Sequence, residues 1–480
     1  MSNQAFEAVI GLEVHAELLT ATKIFCSCST AFGAEPNTQC CPICMGYPGA
    51  MPRLNRRAVE LAIRAGLALG CEIAEVSQTD RKQYFYPDLP KAYQISQDES
   101  PLCKNGSLTV STKEGTRRVA ISRIHIEEDA GKLIHRGAHT FVDCNRCGVP
   151  LIEIVSAPDL RSPEEASAYL RKLRSILLTC GISDCRMQEG SLRCDVNISL
   201  RPFGSETFGV RTEIKNLNSF AFVEKAIAYE IARQTEALLQ GNVPIPETRR
   251  FDAAAGKTYP MRAKETSVDY RFLPEPDLPP IWVSEEDIER LRATLPELPD
   301  AREARLKQAY GLTPYDASVL VSEPQLADFF EAGAGKTDYP KLLVNLLLSE
   351  LLRHCASDPF SSPVSASRLA ELSQLMGEGT VNSATAKKLL LRLLDGDLDP
   401  RLTVKREGLA QIRDREQLLT LAERAMEEQP RAVTDYRNGK SAALRALQGK
   451  GMALSGGRAD PILLESIFLE LLSPHSDETR

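Results

Sequence analysis

VIGLEVHAEL, residues 9–18, decides how the N-terminal half of this chain folds. Its apolar residues Leu12, Val14, Ala16 and Leu18 alternate with Glu13, His15 and Glu17. A period of two belongs to a strand whose side chains leave on opposite faces. One face of that strand must meet a core, and the other presents two acids flanking an imidazole. Two further stretches extend the pattern. In RIHIEEDAGK, residues 123–132, a β-branched run ends in Glu127, Glu128 and Asp129 just before a glycine turn. In VPLIEIVS, residues 149–156, Glu153 is the one charge in an apolar run, a costly placement unless a cation or hydrogen-bond donors meet it. Taken singly, each acid reads as a surface carboxylate or half of a structural ion pair. Together, Glu13, His15, Glu128 and Glu153 form an oxygen-rich, one-imidazole set suited to a hard ion such as Mg²⁺ or Mn²⁺.

A second polar stripe lies in SLRCDVNISLRP, residues 191–202, where Leu192, Cys194, Val196, Ile198 and Leu200 alternate with Arg193, Asp195, Asn197, Ser199 and Arg201. The run VRTEIKNLN, residues 210–218, repeats the alternation with Arg211, Glu213 and Lys215, which predicts a hairpin with one wet face. Solvent-facing strands alternate in the same way. Here, however, cations are mixed with Asn and acids, as a site for phosphates and a carboxylate requires.

The 480 residues are 43% hydrophobic and 26% charged, which is ordinary globular material with room for roughly three domains. A net charge of −7 argues against an overall basic nucleic-acid binder, while leaving room for a local basic patch. The N-terminus lacks a secretory pattern and no window reaches the length of a membrane span, so a cytoplasmic location is expected. Strand-like alternation with frequent Pro and Gly fills residues 1–293. Helical periodicity dominates from 294 onward, as in PKLLVNLLLSELLRHC and TAKKLLLRLLDG. Turn formers in DGDLDPRLTVKREG, residues 395–408, break that pattern once. The expected architecture is α+β, with a mixed domain over 1–293 and two all-helical domains over 294–408 and 409–480.

Five of the thirteen cysteines fall in IFCSCSTAFGAEPNTQCCPICMG, residues 24–46. Cys26 and Cys28 form one pair, Cys41 and Cys44 a CPxC knuckle, and Cys40 is the spare. Four thiolates fill a tetrahedral shell and leave no open position, so the expectation is a structural Zn²⁺; the competing reading is buried free thiols. Cys144 and Cys147 have ligand-like spacing but no partner pair nearby in the chain. GAGKTD, residues 333–338, imitates the end of a phosphate loop, but Phe330 stands where the first glycine belongs and no strand precedes it, so a helix end is expected. In the tail, Arg431, Arg437, Lys440, Arg445, Lys450 and Arg458 outnumber the acids around them. Such a run is commonly a solvated face, and it is also what RNA phosphates select.

GLEVHAEL, YFYPDLPKAYQISQ, HIEEDAGK, NRCGVPLIEIVS, RCDVNISLRP, RTEIKNLNSF and MRAKETSVDYRFLPEPDLPP, in that order, resemble the B-subunit family of aspartyl/glutamyl-tRNA amidotransferases. The resemblance spans nearly the whole chain, more loosely in its helical half. Cys144 and Cys147 depart from the usual family pattern, and the zinc knuckle is found in only some members. The resemblance implies a cradle with a curved antiparallel sheet, similar to glutamine synthetase and the guanidino kinases. It also implies ATP-dependent amidation of Glu-tRNA(Gln) or Asp-tRNA(Asn) through an acyl phosphate. His15 and Glu128 are then metal ligands, with Glu13 and Glu153 beside them. Lys91, Arg193, Asp195, Lys215 and Asn216 serve the phosphates or the acceptor carboxylate. Arg437, Lys440, Arg445 and Lys450 meet tRNA. The chain has no Gly-Gly-Ser-Ser amidase signature, so the family pattern places the ammonia source in a separate amidase (glutaminase) partner. It adds a small bracing partner, the three chains forming a heterotrimer. The alternative is a non-catalytic tRNA-binding scaffold.

Overall fold

The computed structural model describes residues 5–263, 269–355, 362–396 and 398–473. Nine strands form the main sheet: β1 (Phe6–Glu17), β2 (Glu72–Ile73), β3 (Cys103–Thr112), β4 (Gly115–Glu128), β5 (Pro150–Ser156), β6 (Leu192–Pro202), β7 (Thr212–Leu217), β8 (Glu247–Asp252) and β9 (Lys257–Ala263). Their spatial order is β9-β8-β7-β6-β1-β5-β4-β3-β2. All neighbours run antiparallel except β7 and β8, which are parallel, so the expected antiparallel sheet carries one exception. Parallel neighbours need a long crossover, and the helix Phe220–Leu239 supplies it.

The alternation in β1 does what its period requires. Ile10, Leu12, Val14 and Ala16 are buried against three helices, α1 (Arg56–Ala68), α2 (Pro163–Thr179) and α3 (Phe220–Leu239), which bring Leu61, Leu173 and Ile227 to the same core. Each side chain of Val, Leu or Ile size contributes about 1.5–3 kcal/mol on burial, and Ala16 less. The helices start where capping side chains stand: Asn55, Ser162 and Ser219 each accept a hydrogen bond from a first-turn N–H. The opposite face of β1 is left to Glu13, His15 and Glu17, all partly buried. Register shifts interrupt pairing at Val155/Ser156 and at Cys194/Val196, where bulges bend the strands. A separate three-stranded sheet, Leu273–Pro274, Asp80–Gln83 and Tyr93–Ser96, carries the YFYPDLPKAYQISQ segment.

The chain divides into two compact units, 1–302 and 303–480. The second is helical and holds two apolar clusters, one from Leu306 to Val404 and one from Leu418 to Leu472. PKLLVNLLLSELLRHC is helical from Pro340 to His354, with a π-helical stretch at Leu346–Leu351. The helix Pro324–Ala334 ends at Gly335, with Phe330 fully buried beneath it, and Lys336 donates to Ser367 Oγ, so GAGKTD is a helix end.

Candidate functional site

Strand pairing assembles the site from segments far apart in sequence. The register aligns His15 with Glu153 on one side and Arg193 on the other, and aligns Glu153 with His125. His15 Nε2 lies 3.2 Å from Glu153 and 3.6 Å from Glu127, while His125 Nε2 lies 3.6 Å from Glu153. Burial works against a charge on His15, but the Glu153 hydrogen bond and the Glu127 carboxylate raise its pKa to about 9. Burial pushes Glu127 up to about 7 despite His15, and pushes His125 down to about 4, which leaves that imidazole neutral. The buried Nδ1 of His125 has no hydrogen-bond partner among the described residues.

A second acid group sits next to the first on the same face. Glu13, Asp195 and Glu213 offer oxygens within 4.8 Å of one another. Lys215 Nζ bridges Asp195 at 2.6 Å and Glu213 at 2.8 Å, and Asn197 donates to Glu13 at 2.8 Å. Burial and the neighbouring Glu153 raise the Glu13 pKa. Arg193 completes the row through Asp129 at 2.9 Å. Glu17, Arg146, Arg193, Asp195, Lys215 and Asn216 line a cavity of about 670 Å³. Asn216 holds a left-handed backbone (φ 66°) at its rim, the kind of strain that collects at functional sites. A smaller cavity of about 260 Å³ has Glu13, Asn197 and Arg211 in its wall.

Two expected residues stand elsewhere. Glu128 follows the parity of Ile124 and Ile126, so it points to the face opposite Glu127, where it pairs with Lys91 and accepts the Ile95 N–H at 2.9 Å. Glu127 takes the place beside His15. Lys91 leaves with Glu128: its ammonium lies over the Phe25 and Tyr93 rings at 5.6 and 5.3 Å and lines a separate cavity of about 220 Å³. His15, Glu13, Glu153, Arg193, Asp195, Lys215 and Asn216 share the wet face, while Glu127, His125, Glu213 and Asp129 were not assigned from sequence. The signal for Glu127 and His125 was present, because Arg123, His125 and Glu127 alternate with Ile124, Ile126 and Glu128.

The donor chemistry fits two kinds of ion. Cys26, Cys28, Cys41 and Cys44 bring four sulfurs within 4.8 Å of one another. Zn–S bonds of 2.3 Å put tetrahedral sulfurs about 3.8 Å apart, so a small contraction suffices. Cys40 is outside the cluster and donates to Asn37 O at 3.2 Å. His15, Glu127 and Glu153 similarly offer one nitrogen and two carboxylate oxygens within 4.8 Å. A divalent ion held by these residues would require the neutral imidazole of His15, whose proton the carboxylates otherwise favour.

In the tail, Arg437, Lys440 and Arg445 are exposed and Lys450 is half-buried. Lys440 pairs with Asp435 at 2.8 Å and Lys450 with Glu428 at 2.6 Å. Among the described residues, Arg437 and Arg445 form no ion pair.

The wet sheet face sets two carboxylate clusters beside Arg193 and Lys215. The chain matches the GatB/GatE catalytic domain over residues 8–289 and the GatB domain over 328–472. It is 49% identical to the B subunit of the aspartyl/glutamyl-tRNA(Asn/Gln) amidotransferase of Carboxydothermus hydrogenoformans, covering 98% of this chain and 99% of that protein. It is 51% identical to the protein of the same name from Caldanaerobacter subterraneus subsp. tengcongensis, over 98% and 99%. The Geobacillus thermodenitrificans protein is 50% identical over 97% and 98%. The chain belongs to this amidotransferase B-subunit family. No described helix is long and apolar enough to cross a membrane.

Proposed function

We propose that the chain carries the activation and amidation steps of tRNA-dependent transamidation, converting Glu on tRNA(Gln), Asp on tRNA(Asn), or both, to the amide. The observation that carries this reading is the placement of His15, Glu127 and Glu153 on one sheet face beside Arg193 and Lys215. A carboxylate resists ammonia because it is anionic and lacks a leaving group, and phosphorylation by ATP supplies one. His15, Glu127 and Glu153, with Glu13 nearby, would hold Mg²⁺ or Mn²⁺, which offsets charge on phosphate oxygens. Arg193 and Lys215 face the large cavity as cations for the phosphate or the acceptor carboxylate, and Asp195 and Glu213 fix the Lys215 ammonium in place. Asn216 stands beside them at the cavity rim.

The mostly antiparallel sheet with helices on one face supports kinship with the glutamine synthetase and guanidino kinase cradle. The four clustered sulfurs support a structural Zn²⁺. The two apolar clusters of the helical unit support its reading as separate domains, 294–408 and 409–480, after a cradle over 1–293. Arg437 and Arg445 in the last of these support tRNA binding there. The relatives are named as one subunit of an amidotransferase, which supports a heterotrimer with an amidase partner that releases ammonia and a small bracing partner, in the cytoplasm. A purified complex given Glu-tRNA(Gln), ATP and ammonium should release one ADP for each Gln-tRNA formed. Amide formation without ADP release would refute the activation step.

A further inference from the structure

Lys23 is fully buried, with no exposed surface. Its ammonium makes two contacts: 3.5 Å to Cys44 Sγ and 3.1 Å to the carbonyl oxygen of Cys144. No carboxylate of the described residues lies within 4.0 Å of it. Glu128, which lines the same cavity, is taken up by Lys91 and the Ile95 N–H. An ammonium withdrawn from water without a counter-charge costs several kcal/mol. Among the described residues, the candidate counter-charge in reach is the sulfur cluster, through Cys44.

Four thiolates around one Zn²⁺ carry a net charge of −2, which is just as costly to bury beside a sheet. The two burdens offset each other. Outer groups that donate to ligand atoms orient them and lower the charge on the site. Lys23 is placed to do this for Cys44, which also accepts the Cys41 N–H at 3.1 Å.

We propose that Lys23 is the counter-cation of a zinc tetrathiolate at Cys26, Cys28, Cys41 and Cys44, and that it ties this centre to the Cys144–Val149 loop that walls the substrate cavity. This rests on the zinc reading above. The tie has a visible route. Lys23 N–H donates to Cys28 O at 3.0 Å on the knuckle side, and Ile24 N–H donates to Gly148 O at 2.8 Å on the loop side. Within the loop, Arg146 donates to the carbonyls of Ala130 and Gly131 at 2.9 Å and lies 3.5 Å from Asp129, the partner of Arg193. Asn37 reinforces the seam by accepting the Cys144 N–H at 2.7 Å through its side chain. Cys144 and Cys147 enter this scheme as the turn that presents the carbonyl, closed by the Cys147 N–H to Cys144 O bond at 3.1 Å, and not as further ligands.

The test uses the full chain in two forms, wild type and Lys23→Met, which keeps the stem and removes the charge. Zinc content is measured by emission spectrometry, affinity by competition with a chromogenic chelator, and ligand charge by the sulfur-to-cobalt charge-transfer band after Co²⁺ substitution. Wild type should hold one zinc per chain. Lys23→Met should bind it about ten- to a hundredfold more weakly and with a displaced band, which a purely packing role for Lys23 would not produce. A wild type without zinc refutes the zinc reading and the proposal with it. Wild-type zinc together with unchanged affinity and band in Lys23→Met refutes the proposal alone. If that variant does not fold, lysine acetylation of wild type decides: Lys23 should be protected with zinc bound and become reactive once zinc is chelated, and equal labelling in both states refutes the proposal.

Discussion

At the scale of the residue, the adjacent acids Glu127 and Glu128 carry the central lesson. Both are buried, one residue apart, yet one faces His15 and the other faces Lys91. A strand exchanges faces at every residue, so a shift of one position moves a carboxylate from one chemistry to another. Mn²⁺ titration followed by electron paramagnetic resonance should separate them: Glu127→Gln should weaken binding at least tenfold, while Glu128→Gln should leave it within about twofold. Weakening by the Glu128 variant alone would return that residue to the metal site. His15, Glu153, Arg193 and Lys215 were legible because each interrupts or alternates with an apolar run. His125 and Glu127 were equally legible by parity but were outweighed by the more prominent pair of acids before the turn. Asp129 could not be assigned, because its pairing with Arg193 at 2.9 Å joins residues 64 apart in sequence, at strands separated by two others in the sheet.

At the scale of the element, the far edge of the sheet depends on one buried acid. Glu230 of α3 is fully buried and bonds Arg233, Gln234, Arg249 and Thr258, clamping the helix to β8 and β9. Removing one partner of such a network strands the others without compensation. Glu230→Ala should cost about 3–5 kcal/mol in denaturant-unfolding experiments. A loss below about 1 kcal/mol would mean that these charges are solvated. The strands β1 and β6 were readable from alternation, and β4 and β5 from β-branched and apolar runs. The parallel β7–β8 pair was not, because the connection between them is a helix whose direction of return is set by tertiary packing. The bulges at Cys194/Val196 and Val155/Ser156 were equally silent, since a register shift has no fixed residue signature.

At the scale of the whole molecule, an acidic chain of net charge −7 must meet a polyanion, and it can do so only through local surplus of positive charge. The tail residues expected to meet it differ in their surroundings. Lys440 and Lys450 are partly neutralised by Asp435 and Glu428, whereas Arg437 and Arg445 are exposed without ion pairs among the described residues. Arg437→Glu with Arg445→Glu should weaken tRNA binding across sequences and flatten its salt dependence by roughly two phosphate contacts. Unchanged affinity at about 50 and 200 mM salt, typical ends of such a titration, would reduce the tail to a solvated face. The central claim is that the face carrying His15, Glu127 and Glu153 activates the tRNA-linked carboxylate. Its most direct test is the rate of amide formation by the Glu127→Gln complex with charged tRNA, ATP and free ammonium, which bypasses any partner's ammonia supply. A loss of about a hundredfold or more, about 3 kcal/mol in the barrier, is expected at unchanged tRNA affinity, and a normal rate under those conditions would contradict the account.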